Sequence, residues 1–425
     1  MGLSSSGAFV GNENDGRRVS CYRIKTSCDG LLGWSAMQTL ELFAGCGGLA
    51  KGLELAGFKH VGLLEINHQA CESLRANFTR SLVHETDVKT VDFHEFEGVE
   101  VVSGGPPCQP FSLGGLARAY NDKRDMFPQA SRAISEIRPM AFLFENVKGL
   151  LRKKFKPYFN YIIWRLTYPD CRQQKGEGWR DHAARLKKIV KGGKYSGLRY
   201  RVAYKLLNAA DYAVPQVRER VFIVGLRADV KASWTWPDKI CVDKKHRITI
   251  QEALKGVPDP RTQKNPFKDH IYIDGARIYP GHTGSDVSKP SKTIKAGAHG
   301  VPGGENMLRF SDGTVRYMTV HEAKRIQSFP SDFNVTGSWG EALRQIGNAV
   351  PVKLAETIGA HLYRLLREDS LANKTGKAEK IRQFPATLKG EQMLLAVARK
   401  KAKMTVRQRA KGLKGTKIVA KRKRR

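Results

Sequence analysis

The sequence predicts an α/β protein built on a doubly wound, mostly parallel sheet, with a second, smaller region. Three observations carry this. Short apolar runs alternate with helix-like segments from residue 39 onward. A glycine turn joins the first strand to the first helix, with an acid 20 residues further on. The alternation then breaks down over 227–316, where Pro, Gly, Lys and Trp follow one another irregularly.

Residues 39–43 read as a buried strand, 44–48 as the glycine turn, and 49–56 as a helix stopped by Gly57. A second strand at 60–66 leads into a helix ending at Phe78. Further strands are expected at 99–102 and 140–144, and candidates lie at 199–206 and 220–225. The very basic, Gly-rich stretch 168–198 reads as a surface excursion. Regular structure returns at Tyr317, with helices over 320–327 and 352–366. The expected organisation is a polar, disordered segment 1–36, a main domain from 37–226 and 317–370, a smaller domain 227–316, and a basic tail 371–425.

Charge narrows the partners. The 425-residue chain has 74 Lys and Arg against 40 Asp and Glu, a net +34. A field of that sign attracts polyanions. Half of it sits in 371–425, where 19 basic residues face 2 acidic ones. Such a tail grips phosphates without regard to sequence, although a basic run can also serve as a nuclear address. No apolar run approaches the ~18 residues of a membrane span, and no signal pattern opens the chain, so an intracellular protein is expected. Seven scattered cysteines form no CxxC pair, so no zinc site is expected and free thiols are.

Two clusters carry chemistry. Gly45, Gly47 and Gly48 lie between strand and helix, where a ligand can approach the backbone, and Glu65 can accept bonds from ribose hydroxyls. Tight-turn glycines and a strand-end acid would look the same. Asp87 can bond an adenine amino group or simply make a turn. The second cluster is Gly104-Gly105-Pro106-Pro107-Cys108-Gln109-Pro110, directly after a strand. Its prolines stiffen the loop and remove backbone donors, as a positioned nucleophile requires. A free cysteine is more often a small buried hydrophobe, but this setting does not resemble a core strand.

Here the chain resembles the DNA cytosine-5 methyltransferases of the prokaryotic restriction-modification type. Pro106-Pro107-Cys108-Gln109 is similar to their nucleophile loop, and Phe43-Ala44-Gly45-Cys46-Gly47-Gly48 to their cofactor loop. Phe144-Glu145-Asn146-Val147, Gln216-Val217-Arg218-Glu219-Arg220, Arg325-Ile326-Gln327-Ser328-Phe329-Pro330 and Gln345-Ile346-Gly347-Asn348-Ala349-Val350-Pro351 resemble further family motifs, in order. Glu41 stands where the family usually has Asp, and Thr86-Asp87-Val88 where Gly-Asp-Ile is commoner.

The resemblance implies a Rossmann-like, S-adenosylmethionine-dependent methyltransferase fold with 227–316 as target-recognition domain. It implies that S-adenosylmethionine is held by Phe43, Gly45, Gly47, Gly48, Glu65, Ile66, Asp87, Val88, Pro107, Asn348 and Val350. It makes Cys108 the nucleophile, Glu145 the group that relieves charge at cytosine ring nitrogen 3, Arg220 the partner of Glu145 and of the base, and Arg218 a brace for the Cys108 loop or DNA. Phe43 is also a core residue by its period, and Gly347-Asn348 also reads as a turn. The resemblance also implies that the target base is flipped out of double-stranded DNA. Within 227–316, residues 291–295 and His299-Gly300 are candidate groove contacts, with Gly281, Gly284, Gly297 and Gly300 as loop hinges. A monomer in the cytoplasm, associated with the nucleoid and open to pairing with a restriction endonuclease, is the implied setting. Two rivals stand beside this reading: a transfer-RNA cytosine-5 methyltransferase, disfavoured by the long recognition region, and an inactive basic DNA-binding protein, disfavoured by intact Cys108, Glu145 and Arg220.

Overall fold

The described residues from Met37 onward belong to one compact unit. The computed structural model describes residues 36–107, 125–193, 195–262, 265–296 and 306–375. Cys108, Gly297, His299, Gly300, residues 1–35 and most of the basic tail lie outside the described residues.

The larger sheet is made of β1 (Gln38–Leu42), β2 (Lys59–Glu65), β3 (Val83–Glu85), β4 (Val101–Gly104), β5 (Ala141–Val147), β6 (Tyr200–Asn208) and β7 (Glu219–Arg227), in the order β3-β2-β1-β4-β5-β7-β6. From β3 to β5 each neighbouring pair is parallel. Only β7 runs against its neighbours, wedged between β5 and β6.

The central strands β4 and β5 are buried almost along their whole length because both faces are covered. Successive residues point to opposite sides. Leu40, Val102, Phe142 and Phe144 pack on one face with α3 (Phe127–Ile137) and α4 (Lys156–Thr167), through Ile134, Tyr158 and Ile162. Val101, Ala141 and Leu143 pack on the other with α1 (Gly48–Leu55) and α9 (Val352–Thr375), through Leu49, Leu53, Leu354 and Ile358. Each such buried Leu or Phe stabilises the fold by roughly 1.5–3 kcal/mol. The helix α2 (His68–Asn77) is started by the Asn67 side chain, which accepts from Ala70 N.

The excursion expected at 168–198 is more ordered than its composition suggests. It contains α5 (Trp179–Gly192), packed on α4 through buried His182 and Leu186. The imidazole bonds the Tyr161 hydroxyl at 2.9 Å and the Cys171 carbonyl at 2.7 Å. Glycine-rich, basic sequence hid a helix whose apolar stripe is short.

Beyond β7 come α6 (Ile250–Ala253) and a small sheet of β8 (Ser285–Asp286), β9 (Met307–Arg309) and β10 (Val315–Tyr317). Then follow α7 (Val320–Ile326), opened by a Thr319–Glu322 capping box, and α8 (Trp339–Asn348). Ile250, Ile294 and Leu308 share one apolar cluster with Ala323, Ile326, Leu343 and Ile346. Strand β10 runs across residues 316 and 317, where a domain boundary was expected, and continues the small sheet to Tyr317.

Candidate active site

All of the site elements meet at the carboxyl edge of the sheet, where β1, β2, β4 and β5 end. After Leu42 the chain turns through Phe43 and Gly45, both left-handed at φ 56° and 55°, and Gly47 at 91°. Gly47 precedes the first turn of α1. A Cβ at Gly45 would meet nothing within 4 Å, whereas one at Gly48 would lie 2.4 Å from the Val350 carbonyl oxygen. The first glycine therefore faces open space, and the second allows the 349–351 backbone to lie against α1.

Glu65 ties this turn to the next one. Its Oε2 accepts Gly45 N at 2.8 Å, and its Oε1 accepts Ile66 N at 3.0 Å and Asn67 N at 2.8 Å. A carboxylate offers about four acceptor positions, so one remains for a ligand hydroxyl. Ile66 is 66% exposed, an unusual state for isoleucine and a flat apolar platform beside that carboxylate. Asp87 caps its own turn, accepting Lys89 N at 3.0 Å. Its second oxygen is 3.9 Å from the Lys89 ammonium. Asn348 is exposed at the end of α8. Phe43 is half-buried and packs on the core cluster beneath the turn. These groups fit S-adenosylmethionine: open space at Gly45, an apolar surface at Ile66 and acceptors at Glu65 and Asp87 suit a nucleoside. Val88 and Val350 differ, since both side chains are buried in core clusters and leave only backbone atoms to offer.

The path to Cys108 is described as far as Pro107. A Cβ at Gly104 would fall 2.3 Å from the Leu42 carbonyl oxygen, so only glycine lets β4 leave the sheet there. Asn146 then anchors the loop, donating from Nδ2 to the Pro106 carbonyl at 2.9 Å. Met126 N donates to the Pro107 carbonyl at 3.3 Å. The alpha carbon of Gly105 faces Glu145: a Cβ there would sit 3.6 Å from Glu145 Oε2. Three other cysteines are poor nucleophiles. Burial pushes the Cys46 and Cys71 thiols up to about 12 and raises Cys241.

Glu145, near the end of β5, is 7% exposed. The reversed strand β7 brings Arg220 opposite Val147, and Arg220 Nε reaches Glu145 Oε1 at 2.8 Å. The pair is close but poorly aligned, so Oε1 lacks a well-directed hydrogen bond despite its burial. Burial raises the Glu145 carboxyl, while Arg220 and then Arg218 pull it back. A guanidinium does not give up its proton in proteins, so any proton shared by the pair resides on Glu145.

Arg218 takes another position. It lies just before β7, fully buried, and donates to Ile294 O at 3.1 Å, Gly347 O at 2.7 Å and Ala349 O at 2.9 Å. It is a brace for the 347–349 backbone, held inside by three internal carbonyls. Sequence reasoning passed over its neighbours. Gln216 accepts Ile294 N at 3.1 Å and bonds Gln327, which donates to Ile346 O at 2.8 Å and Ala349 O at 2.9 Å. The motifs contained both glutamines, but nothing in their local pattern marks them as a buried network. Of the expected groove contacts at 291–295, Ser291 and Ile294 are fully buried and serve packing. Lys292 bonds the Thr283 hydroxyl at 2.7 Å and Thr293 the Val217 carbonyl at 2.8 Å.

A glycine-turn nucleoside site and a buried carboxyl–guanidinium pair, on a sheet whose seventh strand is reversed, define a Rossmann-like S-adenosylmethionine-dependent methyltransferase. The model of the C-5 cytosine-specific DNA methylases matches residues 37–168 and 180–364, and the chain belongs to that family. It is a DNA cytosine-5 methyltransferase that draws its methyl group from S-adenosylmethionine. The chain is 34% identical to the Type II methyltransferase M.NgoMIV of Neisseria gonorrhoeae over 78% of its length and 99% of the relative's. It is 34% identical to the Type II methyltransferase M.PspPI of a Psychrobacter species, over 77% and 79%. Among solved structures, the S. pombe Dnmt2 methyltransferase superposes with a TM-score of 0.54 at 19% identity, covering 78% of this chain and 98% of that one, a likeness of fold alone. Among the described residues no helix is long and apolar enough to cross a membrane.

Proposed function

We propose that this chain is a Type II modification enzyme in which Cys108 attacks carbon 6 of a cytosine flipped from a specific duplex sequence. The reading is carried by the buried Glu145 carboxyl with its poorly satisfied Oε1, held by Arg220 beside the backbone that leads into Cys108.

Carbon 5 of cytosine is a weak nucleophile. The Cys108 thiolate forms a bond to carbon 6, and the ring electrons shift toward nitrogen 3 and carbon 5. Protonated Glu145 donates its proton at nitrogen 3, where the charge develops; burial favours that protonated form. Arg220 keeps the carboxyl in place and can donate to the cytosine carbonyl. S-adenosylmethionine supplies the methyl group as an electrophile on sulfur. With carbon 5 methylated, a base removes its proton, the carbon 6–sulfur bond breaks, the thiolate returns and nitrogen 3 gives its proton back to the Glu145 carboxylate. Covalent addition thus divides one difficult step into easier ones. Glu65, Ile66 and the Gly45 turn orient the donor, and Asp87 and Asn348 add polar contacts to it.

Residues 227–316 are proposed to read the target, with exposed Ile271, Ile278 and Tyr279 available for groove contact. The enzyme is proposed to act as a cytoplasmic monomer at the nucleoid, with double-stranded DNA as substrate and a restriction endonuclease as functional counterpart.

The test is covalent trapping. Duplex DNA carrying 5-fluorocytosine at the methylated position, incubated with enzyme and S-adenosylmethionine, is expected to give an adduct stable to denaturing electrophoresis, because fluorine cannot leave as a proton does. Cys108→Ser should give neither adduct nor methyl transfer. Undiminished methyl transfer by that variant would show that another group attacks.

A further inference from the structure

The family match stops at residue 168 and resumes at 180. The interrupted stretch is the connection from α4 to α5, and it borders a groove of about 570 Å³ between those helices. Exposed Lys153, Lys156, Arg180 and Lys187 line it, together with half-buried Trp164 and Trp179. Among the described residues no carboxylate lines the groove, and no ion pair involves Lys153, Lys156 or Lys187. Asp181 is on α5 but outside the lining.

The connection beside the groove is closely bonded. Arg185 holds Glu177 with both carboxylate oxygens, at 2.9 and 2.7 Å, and donates to Arg172 O at 2.8 Å. Ser135 Oγ donates to Asp170 at 2.8 Å, and buried His182 joins the Cys171 carbonyl to the Tyr161 hydroxyl. The connection is thus fastened at several points along its length. Its acids are consumed internally, which leaves the outward charge cationic.

Position supplies the last argument. Lys153 and Lys156 follow β5 by only a few residues, so they stand at the same carboxyl edge as Glu145. From Lys156 to Trp164 the helix rises about 12 Å, carrying the groove down the flank of the sheet. A duplex engaged at the active site has charged backbone to place there, and unpaired lysines neutralise phosphates with release of counterions.

We propose that this groove binds the phosphodiester backbone of the substrate duplex outside its recognised sequence, extending the contact beyond what the catalytic site needs. The proposal rests on DNA being the substrate. It is tested with the full chain carrying Lys153→Ala, Lys156→Ala and Lys187→Ala together, and with a control carrying Lys188→Ala and Lys191→Ala on the same helix outside the lining. Binding of a fluorescent duplex of about 30 base pairs is followed by anisotropy across a potassium chloride series. The slope of log affinity against log salt should fall by about 0.9 for each lysine that holds a phosphate, and hardly at all in the control. The KM for plasmid DNA should rise roughly tenfold with kcat unchanged. Thermal melting and S-adenosylmethionine binding should match the wild type. An unchanged slope and KM, which would leave the groove to an acidic protein segment, overturns the proposal. So does an equal loss in the control, or a fall in kcat at constant KM. A wild type that fails to methylate DNA would instead overturn the substrate, a separate result.

Discussion

Arg218→Met separates an internal brace from a DNA contact. Arg218 donates to Ile294 O, Gly347 O and Ala349 O from a fully buried position. The Gly347 carbonyl is at the end of α8, where its usual donor four residues on would be Pro351, which has no N–H. The guanidinium supplies that missing donor. In the variant Ala349 O still has Gln327 Nε2 at 2.9 Å, but Ile294 O and Gly347 O lose the donor that Arg218 provides. Two orphaned buried carbonyls cost about 1–3 kcal/mol each, so the loss is roughly 2–6 kcal/mol. Methionine restores some apolar contact, and relief of guanidinium desolvation offsets part of the cost, which favours the lower half of that range. Urea unfolding followed by tryptophan fluorescence should show the midpoint falling with little change in slope. S-adenosylmethionine affinity should weaken as well, because the braced backbone leads directly into Val350. The salt dependence of DNA binding should stay the same. Wild-type stability combined with a salt slope lower by about 0.9 would place Arg218 on a phosphate and refute the assignment.

Two further outcomes follow from the buried acids. Glu145→Gln keeps the size and hydrogen-bonding capacity of the side chain but cannot transfer a proton, so kcat should fall by about 10²–10⁴-fold while S-adenosylmethionine affinity holds; single-turnover methyl transfer measures it, and wild-type turnover would remove Glu145 from the chemistry. Glu41 is buried in the sheet, with Ser103 Oγ at 3.4 Å, and burial raises its carboxyl to about 8. The folded state therefore holds a proton that the unfolded chain releases above its ordinary value near 4.5. Stability should decline as pH rises from about 4.5 through 8, by several kcal/mol at most. Glu41→Gln should flatten that decline in pH-resolved thermal melts, and an equally steep decline in the variant would mean that other groups cause it.

Much of the scaffold was legible in the sequence because its strands are buried on both faces. The runs at 39–43, 60–66, 140–144 and 220–225 emerged as β1, β2, β5 and β7 within a few residues at each end. Strand β3 escaped notice: three residues on a sheet edge carry almost no pattern. The reversal of β7 was equally hidden, since apolar alternation does not encode direction. In the site, the motifs marked Glu145 and Arg220 and the structure brings them to 2.8 Å. The partners of Arg218, the carbonyls of Ile294, Gly347 and Ala349, are too distant in sequence for any local pattern to reveal them. Asn146, Gln216 and Gln327 work through distant carbonyls, and such pairings cannot be read from local spacing.

The antiparallel entry of β7 leaves the acid and its arginine only two rungs apart on one ladder, although some seventy residues separate them. The connection between β5 and β6, which carries α4 and α5, is then an excursion whose two ends are stapled by main-chain bonding to β7. Lengthening such an excursion costs only a slowly growing closure entropy, about 0.6 kcal/mol for each doubling. Its outer part can gain or shed sequence while the reacting groups keep their spacing. Evolution, or an engineer grafting a new binding element, has there a site of insertion insulated from catalysis.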